Sequence, residues 1–124
     1  MKLKAVFLRA GVNVSPEVVE VENFNDVKQL IEGDSIITAT RFFGKERFSI
    51  FFNSNAEQEG KAISSLFTYS NKPLLDDLFG NLIVVGYPSL ENNLIGLSDE
   101  DIKTVLRHVV AIKVRKKQSY GFLF

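Results

Sequence analysis

SIITATRFFGKERFSIFFN, residues 35–53, is the stretch whose reading decides the fold. Ser35 to Phe43 and Glu46 to Asn53 are rich in β-branched and aromatic residues, the composition of strands. Gly44-Lys45 lies between them, and glycine at the first of two loop residues is the mark of a type II′ hairpin turn. Such a turn fixes the register: Phe43 opposes Glu46, and each step outward pairs the next two residues. One face then carries Ile37, Ala39, Arg41 and Phe43 with Phe48, Ile50 and Phe52, and reads as core. The other carries Thr38, Thr40 and Phe42 with Arg47, Ser49 and Phe51. That second face is mostly polar yet holds two phenylalanine rings. Either a helix or loop covers part of it, or it is open and available for binding.

Upstream, Lys2 to Arg9 reads as a strand, with Leu3, Ala5 and Phe7 on one face and Lys2, Lys4 and Val6 on the other. Glu17 to Glu22 alternates Val19 and Val21 against Glu20 and Glu22, so it is a second strand, joined to the first by a loop longer than two residues. Asp26 to Glu32 is a short helix capped by Asn25, with Phe24, Val27, Leu30 and Ile31 on one side and Gly33 as its left-handed stop.

Downstream, Asn53 to Gly60 is a polar loop, and Ala62 to Tyr69 reads equally as a strand or a buried loop. Pro73 to Phe79 predicts a short helix, with proline at its first position and Gly80 past its end. Asn81 to Gly86, NLIVVG, is an apolar run of the kind buried on both faces. Tyr87 to Gly96 is a loop. Ser98 caps a last helix whose first turn holds Asp99, Glu100 and Asp101, where the macrodipole favours anions. Its apolar stripe is Ile102, Val105, Leu106 and Val109. From Val110 a period of two fits better and predicts a terminal strand, with Val110, Ile112 and Val114 inward.

These elements predict one α+β domain over residues 1–118, an antiparallel or mixed sheet of about five or six strands packed on two or three short helices. Residues 119–124 form an apolar C-terminal tail. The 124 residues suffice to bury a core without disulfide or metal. Fifteen basic and fifteen acidic residues cancel, so no global field draws the chain to nucleic acid or an anionic membrane. The absence of cysteine excludes disulfides, zinc ribbons and thiol catalysis and fits a cytoplasmic protein. The opening MKLKAVFLRAG is too short in its apolar run for a signal peptide, and no run approaches the ~20 residues that span a bilayer. A soluble, intracellular protein is expected.

The order of several segments resembles a known family. They are the opening KAVFL, PEVVEVEN at 16–23, the VKQLIEGDSI passage, EGKA at 59–62, FGNLIVVG at 79–86, and the LSDEDIKTVL helix start. The family comprises small phage, plasmid and Gram-positive bacterial proteins grouped as domain of unknown function 3846. The resemblance covers most of the chain and is one of fold rather than of a site. It implies a mobile-element origin and intracellular residence, and no catalytic residue. The aromatic hairpin and the basic C-terminal segment depart from the family's shorter members.

No catalytic constellation accompanies these elements. His108 is the only histidine, with no nucleophile signature beside it, and a helix-end position explains it. Asn55 to Gly60 imitates a calcium loop, but Leu66 stands where the bidentate glutamate belongs. Asp76-Asp77 point in different directions on a helix, and Asp99 to Asp101 are helix-start charges. The glycines are scattered, without a phosphate-binding fingerprint. No enzyme, metal or cofactor is expected.

What remains is contact chemistry. Phenylalanine is over-used, with eleven Phe, three Tyr and no Trp. Phe42 and Phe51 on the hairpin, with Tyr120, Phe122 and Phe124 in the tail, are the candidate partner-binding residues; the tail either folds back or docks on a second molecule. Lys103 to Lys117 holds six Lys/Arg, one His and no acid. Within it Arg107, Lys113, Arg115, Lys116 and Lys117 serve a solvated face, an acidic partner or, as the alternative function, nucleic acid. The expectation is a non-catalytic accessory protein acting by protein–protein contact, with homo-oligomerisation one form of it.

Overall fold

The computed structural model describes residues 2–10, 15–33, 35–56, 58–60, 66–67 and 80–110. The expected helix at Pro73–Phe79, the terminal strand beyond Val110, and the tail residues Tyr120, Phe122 and Phe124 lie outside the described residues.

The chain runs through β1 (Leu3–Leu8), β2 (Glu17–Val21), α1 (Phe24–Ile31), β3 (Ile36–Phe43), β4 (Glu46–Asn53), β5 (Leu66–Phe67), β6 (Leu82–Gly86), α2 (Asp99–His108) and β7 (Val109–Val110). Five strands form one sheet in the order β2-β1-β6-β4-β3, with every neighbouring pair antiparallel. The short β5 and β7 pair separately. The fold is α+β, as the sequence predicts.

The hairpin register is the expected one throughout, from Phe43↔Glu46 to Ile36↔Asn53. Gly44 has φ 68° and Lys45 a negative φ, the combination of a II′ turn. The apolar run β6 takes the central place and is buried at every residue. It does so in an antiparallel sheet because both faces are covered, a burial more often met in parallel sheets.

Two cores lie on the two sides of the sheet. On one side α2 sends Ile102 and Val105 onto Val6, Leu8, Phe48, Ile50 and Val84. On the other α1 sends Val27 and Ile31 onto Ala5, Phe7, Phe51, Ile83 and Val85. Strand β1 therefore buries both faces from Ala5 to Leu8, where alternation predicts one.

The helix ends differ in detail from the sequence reading. Asn23, not Asn25, caps α1: its side chain accepts from the Asp26 N–H at 3.2 Å, while Asp26 accepts from the Glu22 N–H at 2.8 Å. Asp26 thus also holds the N–H of Glu22, one residue before the cap, and fixes the chain as it enters α1. The left-handed residue is Glu32, with φ 62°, rather than Gly33. Gly33 serves space instead, since a Cβ there would stand 2.5 Å from Asn53 Nδ2. Ser98 and Asp101 exchange bonds of 3.1 Å each and cap α2 as expected. Val109 leaves the helix for β7, and Leu106 is exposed, so the stripe of α2 narrows to Ile102 and Val105.

Candidate functional site

Phe42 and Arg47 are direct cross-strand partners near the hairpin turn. Glycine 86 pairs with Phe48, so the next residue, Tyr87, leaves β6 beside Arg47. The Arg47 guanidinium carbon lies 4.5 Å from the Tyr87 ring centroid, a cation–π contact. Phe42, Arg47 and Tyr87 thus form a row across β3, β4 and the end of β6. Phe42 is 49% exposed and Tyr87 38%, whereas Phe7, Phe43, Phe48 and Phe51 are all buried.

The row is open because nothing described reaches it. With eight residues, α1 is roughly 12 Å long. It covers the far end of this face, where the Phe24 ring meets Phe51 edge-on with centroids 5.4 Å apart. The segment after β6 covers the middle. There the Ser89 N–H donates to Ser49 Oγ at 3.1 Å, and the Ser89 hydroxyl donates to the Gly86 carbonyl at 2.6 Å while accepting from the Ile95 N–H at 2.9 Å. The turn end, with Phe42, lies beyond both covers.

Phe42 therefore stands as a surface residue, and Phe51 does not. At 1% exposure under α1, Phe51 is core, which removes it from the candidate contact residues. Arg107 is exposed on α2, on the other side of the sheet from Phe42, so the structure does not bring these two together. Lys113, Arg115, Lys116, Lys117, Tyr120, Phe122 and Phe124 lie outside the described residues, as do Asp76, Asp77 and the side chain of His108. Tyr87 was not singled out by the sequence, where it reads as the first loop residue. The available signal was the register: once β6 is placed beside β4, Tyr87 falls opposite Arg47.

The acidic positions have structural partners. Asp99 accepts from Lys4 Nζ at 3.2 Å, Glu100 lies 3.7 Å from Lys103 Nζ, and Asp101 belongs to the cap. In the calcium-like loop, Asn53 Nδ2 donates to Glu59 Oε1 at 3.0 Å and Asn55 Nδ2 to Ser35 Oγ at 3.0 Å. Those bonds tie the loop to the end of β4 and to the residue before β3. Among the described residues no group of three or more metal-ligating side chains converges, and no helix is long and apolar enough to cross a membrane. An open depression of about 290 Å³ between the start of α1 and residues 91–94 offers Glu22, Glu91 and three asparagines, without a histidine or nucleophile.

Comparison with family models, with curated proteins and with solved structures yields no match.

Proposed function

We propose that this chain is a non-catalytic accessory protein that acts by protein–protein contact through the row Phe42, Arg47 and Tyr87. The observation that supports it is the pair of partly exposed rings, Phe42 and Tyr87, on either side of Arg47, in a sheet whose other described phenylalanines are largely buried. Aromatic residues and arginine are the side chains that anchor protein interfaces. The resemblance in segment order adds a cytoplasmic, mobile-element setting to this proposal.

The test is a double variant, Phe42→Ser with Tyr87→Ser, compared with the parent chain as bait under identical conditions. The variant is expected to keep its circular-dichroism spectrum and thermal transition and to lose the proteins that the parent retains. Equal retention by both baits refutes the reading. The same row has the chemistry to stack bases, with Arg47 as a cation beside Tyr87, which supports nucleic acid as the second reading. Oligonucleotide binding that weakens steeply with salt, alongside equal protein retention, would favour that alternative.

A further inference from the structure

We infer that a second copy of the same chain adds strand to strand along the outer edge of β3, where it meets Phe42 of the row but not Arg47 or Tyr87, which lie one and two strands further in. This rests on the contact reading above. The sheet has two edges, and they differ. Strand β2 is five residues long and carries Glu17 and Glu20, with Glu17 held by Arg9 at 3.0 Å. Charges on a short edge discourage pairing. Strand β3 is eight residues long and its single charge is Arg41. Among the described strands it pairs only with β4.

The backbone of that edge is oriented for a partner. The two-residue turn makes Phe43 and Glu46 a hydrogen-bonded pair, and such pairs alternate along the ladder. The Ser54 N–H to Ser35 carbonyl bond, 2.8 Å, keeps the same parity at the far end. Ile36, Thr38, Thr40 and Phe42 consequently aim their N–H and C=O groups away from β4. Thr38, Thr40 and Phe42 are exposed. Arg41 Nη1 donates to the Thr40 carbonyl at 3.0 Å, so a side chain already occupies one position that a neighbouring strand would use.

The occupant follows from the sequence of β3 itself, IITATRFF. Two copies pair antiparallel about a two-fold axis through Ala39. Thr38 then faces Thr40 of the second copy, Ile36 faces its Phe42, and Ile37 faces its Arg41. Every residue from Ile36 to Phe42 is matched, and the two arginines never meet. A register centred on Arg41 would set like charges opposite each other, which is unfavourable. The exposed rings of Phe42 find an isoleucine, and the stem of Arg41 lies along Ile37, itself 46% exposed. The axis is perpendicular to the sheet, so the α1 layers share one side and the α2 layers the other. The contact is isologous and closes at two copies.

The experiment uses the full chain. Light scattering is expected to give twice the 13.9 kDa chain mass, falling to the single-chain mass with Thr40→Pro. Proline is tolerated where an edge N–H points outward, so this variant spares the β3–β4 ladder. Ala39→Cys gives an independent reading, because the chain has no cysteine of its own. Ala39 and its copy form a non-hydrogen-bonded pair with Cα atoms about 4.5 Å apart, within disulfide reach. Mild oxidation is expected to link A39C into a covalent dimer and to leave V19C, on the β2 edge, unlinked. A single-chain mass for the parent at all concentrations, a dimer that survives Thr40→Pro, or equal linking of A39C and V19C overturns the inference. A single-chain parent whose retained proteins are still lost with Phe42→Ser and Tyr87→Ser removes the second copy and leaves the contact reading standing.

Discussion

Phe51→Ala is expected to destabilise the protein strongly and Phe42→Ala hardly at all, although both rings stand on one face of one hairpin. Phe51 is 1% exposed, packs with Ile83, Val27 and Val85, and meets Phe24 edge-on at 5.4 Å. Truncating such a ring costs ~3–5 kcal/mol through lost burial and the cavity left behind. The aromatic pair accounts for roughly 0.5–1.5 kcal/mol of that. Domains of this kind have total stabilities of ~5–15 kcal/mol, so the loss is a large fraction. Phe42 is 49% exposed in the single chain, and its truncation should cost that chain under about 1 kcal/mol. Urea unfolding followed by far-ultraviolet circular dichroism reads both. With a slope of roughly 2 kcal/mol/M, the Phe51→Ala midpoint falls by about 2 M, and that of Phe42→Ala by less than about 0.5 M, both at unchanged slope. Equal midpoints, or the larger shift at Phe42, would refute the placement of α1 over this face.

Two further changes test the end of α1. Gly33→Ala should lose ~1–3 kcal/mol, because the new Cβ meets Asn53 Nδ2 at 2.5 Å and Asn53 is held by Glu59 and the Asn55 N–H. Combining it with Asn53→Ala should cost less than the sum of the two single changes, and strict additivity in thermal melts would contradict the close approach. Glu32→Gly should raise stability by roughly 0.5–1 kcal/mol, since the φ of 62° strains a side chain and suits glycine. A lowered melting temperature would show that the glutamate side chain offsets that strain.

Local chemistry explains what the sequence shows well. The Gly44-Lys45 turn forces one register, so one pair of residues determines eight. The run LIVVG is too apolar for any position but the centre, and Ser98 with Asp101 declares the start of α2. Phe42 was legible as a ring on a polar face, but Phe51, at the far end of the same face, shows the limit: two rings with the same pattern diverge because α1 reaches one of them. The cap of α1 is Asn23 rather than Asn25, set by the bonds that Asp26 makes to Asn23 and to the Glu22 N–H, which spacing alone does not rank. Glycine 33 looked like a helix stop, and only the distance to Asn53 reveals that its task is to leave room. Tyr87 joins the candidate surface through a strand neighbour, β4, that is more than thirty residues away in sequence, and no local pattern carries that.

The central position of β6 bears on how the chain is made. Both hairpins, β1–β2 and β3–β4, are complete once residue 53 has been synthesised, yet they share no ladder. The strand that stitches them together ends at Gly86. Until it leaves the ribosome, the inner edges of β1 and β4 are open rows of backbone donors and acceptors, flanked by apolar side chains. Exposed edges on unfinished chains are where neighbouring nascent chains join wrongly. Between the emergence of residue 53 and that of residue 86, these two inner edges therefore stand unpaired by β6.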